Sequence, residues 1–506
     1  SGAEEFVKKY ETHKEEDQII GHFGLGFYST YMAAKQVEIQ TLSYKEGAES
    51  VYWSCDGSAS YTIEKGTREA RGTEIILTLL EDEKEYLDEA KMRTILKHYC
   101  SFLPYPILLN GKQINEHPPL WMKPASECTE QEYLDFYRRL FPMEPDPLFW
   151  VHLNVDYPFH LKGILYFPKT SLEGEFKKEK IKLFCNRVFV SDNCKDLLPD
   201  YLTTLRGAID SPDIPLNVSR SYLQMDRTVR QLGAHISKKI SDRLGSLYRS
   251  EKEKFLSYWP DLELIIKYGA LQDEKFYERV KEFLIWKNDK EEWTTTEEYL
   301  ERHPEQSVYY TAEKNHFLNL YQEKGIEVLM IRPSMIDQAL LSFLEQKTEA
   351  KFKRIDGHLE EKILDPEKEK SLLDADGRSE AGKIADFFRK KLDMEVEAKS
   401  LASDSLPAFL LIKEEERRLR DQLAYRNQEM ASAASSFVKP TLVVNTNSKL
   451  IQAIQKAELK DPELAKEMAH SVYDLARLSQ KEMEPEALAA FIIRNQKVLE
   501  KLSESL

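Results

Sequence analysis

Cysteine is scarce and unpatterned in this sequence. The five present, Cys55, Cys100, Cys128, Cys185 and Cys194, are odd in number and scattered. No C-x-x-C pair occurs and no histidines stand at zinc-finger spacing, which argues against a zinc site or a disulfide framework and predicts reduced thiols. Long hydrophobic runs are missing too. No apolar stretch approaches the roughly 18 residues of a bilayer span, so no membrane insertion is expected. Residues 1–17 lack the basic, apolar, small-residue order of a secretory leader, which predicts a cytoplasmic protein. An excess of positive charge is likewise absent. Lys and Arg number 72 against 87 Asp and Glu, a formal net charge of −15 that repels a phosphate backbone and argues against nucleic acid as a partner. The best basic patch, KKEKIK at 177–182, is broken by Glu179 and reads as a solvated loop entering a strand. No internal repeat and no sustained heptad pattern is found.

What is present suits a globular protein of several domains. Hydrophobic residues make up 42% and charged residues 31% of 506 positions, enough chain for about three domains. After Phe27 the text reads as a helix and then a small antiparallel sheet. Val37, Ile39 and Thr41 alternate, residues 51–55 and 61–63 continue across turns at Gly47 and Gly57, and 73–79 supply a further strand. A helix over 89–102 is followed by Pro104, Pro106, Pro118 and Pro119, a density that marks a boundary. The next region predicts a helix over 130–140, a strand with Phe149, Val151, Leu153 and Val155 on one face, and strands over 161–167 and 181–190. Val229, Leu232, Ile236, Ile240, Leu244 and Leu247 keep the steps of three and four of a long amphipathic helix.

Strand 307–312, helix 317–324 stopped by Gly325, strand 326–331 and helix 335–346 make a β-α-β-α unit. Residues 368–383, polar and with Gly377 and Gly382, read as a linker into a helical C-terminal part. There Leu464, Met468, Val472, Leu475 and Leu478 recur at helical spacing. Leu488, Phe491, Ile492, Asn495, Leu499 and Leu502 do the same after Pro485. Two such helices bury their apolar faces either in an intrachain bundle or in a dimer interface; composition leaves both open.

The candidate chemistry begins at Gly21-His22-Phe23-Gly24-Leu25-Gly26-Phe27, a G-x-x-G-x-G run where a loop enters a helix. Glycine lets backbone N–H groups approach an anion at the positive end of a helix. Plain turn-making accounts for such a run equally well, and it is neither a Walker A motif nor a Rossmann fingerprint.

The stretch IIGHFGLGFYSTYMAAKQVEI at 19–39 resembles the phosphate-contacting segment of the Hsp90 family, whose split ATPase fold is shared with gyrase, MutL and histidine kinases. By that resemblance Gly21, Phe23, Gly24, Leu25, Gly26 and Phe27 cradle the phosphates of ATP. ARGTEIILTL at 70–79 is similar to the strand behind the pocket, with Thr73 placed near the adenine. DSPDIPLNVSRSYLQ at 210–224, preceded by RVFVSDN at 187–193 and LPDYLTTLRG at 198–207, resembles the middle domain of the same proteins. The match makes Arg220 the arginine that reaches the γ-phosphate from another domain and Gln224 its neighbour in that role, the logic being that a guanidinium stabilises charge on a transferred phosphoryl group. Without the family, Arg220 reads as a helix-start residue in a surface salt bridge.

The resemblance implies an α/β multi-domain chain. Residues 1–115 would be the C-terminal part of a GHKL-type ATPase sandwich. Residues 116–370 would form a middle domain with a ribosomal-protein-S5-like fold, the β-α-β-α subdomain and a client surface, and 371–506 an α-rich dimerisation domain. It implies an ATP-dependent chaperone that clamps partly folded client proteins as a homodimer through its C-terminal helices, with ATP and Mg2+ as cofactors. The water-activating glutamate, the magnesium-holding asparagine and the adenine-recognising aspartate are expected before Ser1, so no metal ligand is assigned here and this stretch alone is expected to turn over almost no ATP. Met430 and Phe437 lie where the family contacts clients, while Trp121 and Trp286 read as core. Two rival readings remain: a DNA-acting ATPase of the gyrase or MutL kind, and an ATP-independent holdase.

Overall fold

The computed structural model describes residues 26–169, 180–192, 197–214, 227–332, 334–357, 359–365, 379–413, 416, 440–480, 483 and 485–504. The chain divides into two units, Ser1–Glu263 and Leu264–Leu506, the division falling inside one helix.

In the first unit, β1 (Ala34–Leu42), β2 (Val51–Cys55), β3 (Thr62–Lys65) and β4 (Gly72–Leu79) form an antiparallel sheet in the order β3-β2-β1-β4. The helix expected after Phe27 is a single 3₁₀ turn, Tyr28–Met32. Helix α1 (Glu89–Cys100) starts on the Asp88 carboxylate, which accepts the Lys91 N–H at 2.7 Å. The short hairpin β5 (Leu108–Leu109) and β6 (Lys112–Gln113) follows within the proline-rich stretch.

Helix α2 (Glu130–Leu140) forms because Thr129 and Glu132 make a reciprocal capping box and Tyr133, Phe136, Tyr137 and Leu140 fall on one buried stripe. It covers a five-stranded sheet of order β10-β9-β11-β8-β7. The strands are β7 (Phe149–Val155), β8 (Leu161–Phe167), β9 (Lys180–Cys185), β10 (Val188–Ser191) and β11 (Arg206–Asp210). β9 and β11 are parallel and the other neighbours antiparallel. The single strand expected over 181–190 is a hairpin. Asn186 at φ 51° and Arg187 at φ 65° turn the chain between β9 and β10 with two consecutive left-handed residues, the geometry a two-residue hairpin loop requires. Phe102, Trp121, Phe136 and Phe184 pack ring against ring in this core, with Trp121 only 1% exposed. Helix α3 (Arg227–Ser250) carries the expected stripe, Val229 to Leu247, fully buried.

In the second unit, reached through α4 (Lys252–Gln272), come α5 (Glu274–Val280), β12 (Ile285–Asn288), β13 (Trp293–Thr295) and α6 (Thr296–Arg302). The β-α-β-α unit follows as β14 (Ser307–Thr311), α7 (His316–Glu323), β15 (Val328–Met330) and α8 (Met335–Lys347), then β16 (Lys351–Arg354). The sheet order is β13-β12-β15-β14-β16, with β14 parallel to both β15 and β16.

The last part is not helical alone. Helix α9 (Glu380–Leu392) begins within the residues expected as linker, because the Ser379 hydroxyl accepts the Gly382 N–H at 3.1 Å; residues 368–378 of that linker lie outside the described residues. β17 (Val396–Lys399), β18 (Ala408–Leu411) and β19 (Thr441–Asn445) make a three-stranded sheet of order β17-β19-β18, on which α10 (Lys449–Glu458), α11 (Pro462–Ser479) and α12 (Pro485–Glu504) share one core. Among the described residues no helix is long and apolar enough to cross a membrane.

Candidate functional site

Of the residues the resemblance assigns to a nucleotide, Gly26, Phe27 and Thr73 are described; Gly21, Phe23, Gly24 and Leu25 lie outside the described residues. Gly26 ends the glycine run in a turn whose carbonyl accepts the Ser29 hydroxyl at 2.6 Å, while the Thr30 hydroxyl donates to the Phe27 carbonyl at 2.7 Å. A Cβ built on Gly26 meets no described residue within 4 Å. The Phe27 ring stands edge-on to Trp53 at 5.7 Å and to Tyr31 at 6.2 Å, which seats the turn on the sheet.

Register then places Thr73. Trp53 faces Ile39, Ile39 faces Ile75, and Thr73 lies two residues along β4 from Ile75, opposite Thr41. With a side-chain period of two, Phe27 and Thr73 serve the same side of the sheet. The Thr73 and Thr41 hydroxyls are 2.7 Å apart, and Thr73 is exposed. This side is apolar and only partly covered: Val37 is buried, whereas Ile75 is 52% and Ile63 60% exposed. An exposed hydroxyl on an apolar sheet face sets a hydrogen-bonding group beside apolar surface, the mixed lining that small-molecule sites use. Trp53 and Thr41, which complete the arrangement, were legible only as strand residues, because their role depends on cross-strand register.

Arg220 and Gln224 lie outside the described residues, as do Met430 and Phe437. The ground from which the Arg220 segment departs is described. β11 ends at Asp210, whose carboxylate accepts the Trp121 indole N–H at 3.2 Å and the Arg187 backbone N–H at 3.3 Å. Burial pushes the Asp210 carboxyl above the usual carboxylate range, and these two donors offset part of that. Beyond it the Ser211 hydroxyl donates to the His160 carbonyl at 2.6 Å, and Asp213 accepts the His160 backbone N–H at 2.5 Å. The chain is therefore pinned before it enters the segment, and α3 takes it up at Arg227. Sequence alone read Trp121 as core; its indole N–H is also the buried donor to Asp210. Among the described residues no three His, Cys, Asp or Glu side chains gather as a metal-ligand set.

A mixed α/β chain with a glycine turn over one sheet and a pinned loop root on another defines a class, and comparison with known proteins defines the family. The family model described as Hsp90 protein matches residues 108–503. The chain is similar to the protein called Chaperone protein htpG of Bacteroides fragilis strain YCH46, 39% identical over 494 residues, which cover 91% of this chain and 72% of that one. Chaperone protein HtpG of Porphyromonas gingivalis strain ATCC 33277 is 37% identical, covering 92% and 72% respectively. That of Alcanivorax borkumensis is 30% identical, covering 99% and 83%. The chain belongs to the Hsp90 family, and within it resembles the bacterial, HtpG-like chaperones.

Proposed function

We propose that this chain works as an ATP-dependent molecular chaperone, a homodimeric clamp that binds unfolded or partly folded client proteins in the cytoplasm. The observation that carries the reading is the similarity to HtpG chaperones along 91% of the chain. Residues 1–115 then belong to a GHKL-type nucleotide domain. Residues 116–370 form a middle domain with an S5-like fold and a β-α-β-α subdomain, and 371–506 a dimerisation domain.

Bound ATP with Mg2+ would supply the transferable phosphoryl group and the energy of the cycle. Gly26, with Gly21, Phe23, Gly24, Leu25 and Phe27, would receive the phosphates, and the exposed Thr73 hydroxyl would orient the base. Arg220, with Gln224 beside it, would set a guanidinium against charge developing on the phosphoryl group, so that turnover depends on domain docking. The Asp210, Trp121 and Arg187 contacts hold the root of that segment in place.

The test is aggregation of a heat-unfolded model client with and without the protein and ATP, together with ATP turnover of the 506-residue chain, expected to be almost nil, and of wild type and Arg220→Ala in a chain extended before Ser1 by the corresponding N-terminal residues of the Bacteroides fragilis relative. Suppressed aggregation and a loss of turnover of roughly 1,000-fold or more in Arg220→Ala of the extended chain are expected. Unchanged aggregation, or turnover indifferent to Arg220, would sink the reading.

A further inference from the structure

A second site of a different character lies in the first unit, away from the glycine turn. A cavity of about 600 Å³ opens between α1, the segment after β6, the end of α2 and the β9–β10 hairpin. That volume suits a small molecule. In a chain of net charge −15, its lining is basic: Arg93 and Lys97 from α1, Arg139 from α2 and Lys182 from β9, against Glu116 as the one carboxylate on the wall.

The four cations differ in how they are held. Arg93 is engaged by Glu89 at 2.6 Å, and Glu89 also accepts from Asn110, so that guanidinium is already oriented and largely neutralised. The side chains of Arg139 and Lys182 make no ion pair or hydrogen bond with any described residue. Neighbouring Arg138, by contrast, is committed to Asp146 through two bonds of 2.7 and 2.8 Å. Lys182 is the informative one. It rises from a strand between buried Ile181 and Leu183, and its Nζ lies 5.8 Å from the centre of the Phe141 ring. Burial lowers its pKa from the ordinary lysine value, with Asp192 acting weakly in the opposite sense. A half-buried ammonium that no described carboxylate touches, Asp192 acting on it only from a distance, is costly unless something anionic completes it.

The same lining carries buried apolar side chains. Phe184, Phe189 and Leu140 are 3%, 8% and 8% exposed, and the His98 ring lies 4.3 Å from that of Phe189. Basic and aromatic side chains in one lining suit a ligand with one strongly anionic end and one flat or apolar end.

We propose that this cavity binds a phosphate-bearing small molecule, its phosphates held by Lys182, Arg139 and Lys97 and its remainder against Phe184 and Phe189. None of its lining residues belongs to the glycine turn or to the β1–β4 sheet; they come from four elements between positions 93 and 189.

Isothermal titration of the 506-residue chain with pyrophosphate at low ionic strength tests this, using wild type, Lys182→Met, Arg139→Gln and Gly26→Glu. One saturable event is expected whose affinity falls about tenfold in Lys182→Met and in Arg139→Gln, the loss of one charge-assisted contact each, and is retained in Gly26→Glu. Arg139 is exposed at a helix end, so its variant carries the test alone should Lys182→Met fail to fold. No saturable binding, equal binding by all four proteins, or loss confined to Gly26→Glu would overturn the proposal.

Discussion

Lys267 and Asp337 form an ion pair withdrawn from solvent, Nζ to Oδ1 at 2.7 Å, with side chains 9% and 6% exposed. The ammonium also lies 4.9 Å from the centre of the Trp286 ring, and Asp337 accepts the Ser334 hydroxyl at the start of α8. The pair thus ties α4, α8 and β12 of the second unit. Removing one partner leaves a buried charge unmatched, so Lys267→Ala or Asp337→Ala should each cost about 3–5 kcal/mol. The double variant Lys267→Met with Asp337→Leu should recover most of that loss. Urea denaturation of the four proteins measures it; two single variants as stable as wild type would contradict it.

Gly207 sits in the middle of β11 at φ 144°, and a Cβ there would collide with the carbonyl oxygen of Ile164 on β8. Gly207→Ala should therefore force the strands apart and cost about 3 kcal/mol or more. Gly111, at φ 78° with nothing within 4 Å, is the control, where alanine meets backbone strain alone, about 1–2 kcal/mol. Comparable losses at both positions in chemical denaturation would argue against close strand approach as the cause.

Acid should act on α2 through Glu132. Its carboxyl is held down to about 2 from 4.5, first by Lys123 and then by the Thr129 backbone and hydroxyl. A depressed folded-state pKa means the carboxylate adds stability that is complete above 4.5 and disappears as pH falls through about 2. Glu132→Gln keeps the cap but not the charge. The denaturation midpoints of variant and wild type should therefore converge as pH drops across that window. A constant gap between them would refute the assignment.

The outward face of α12 bears on dimerisation. Ile492, Ile493 and Leu499 are 58%, 58% and 66% exposed, while Val498 alone of that helix's aliphatic residues is buried in the shared core. Helix α12 thus satisfies the intrachain reading on one side and leaves apolar surface on the other. If that surface is the proposed dimer contact, Ile492→Glu with Leu499→Glu should convert dimer to monomer in light scattering coupled to gel filtration. A wild-type monomer, or a variant that stays dimeric, would remove α12 from the interface.

The sequence by itself determined the elements whose periodicity is long enough to be unambiguous. The stripe from Val229 to Leu247 could only be an amphipathic helix. The alternation from Phe149 to Val155 could only be a half-covered strand, and the helix over 130–140 was read at its observed bounds. Family membership was legible too, because motifs 19–39 and 210–224 are local strings. The tertiary structure alone decided what depends on distant partners. The C-terminal strands β17, β18 and β19, of four or five residues, carry no period of their own and exist because β17 pairs in parallel with β19 across more than 40 residues of chain. The hairpin at Asn186 and Arg187 was not read from the sequence because apolar residues flank both positions and Arg187, unlike Asn186, is an uncommon residue at positive φ. The basic cavity required four elements to converge on Lys182, a residue whose sequence context reads only as one more lysine in a charged stretch. Periodicity encodes which face of an element is apolar; which faces meet, and what charge is trapped where they do, is fixed only by packing.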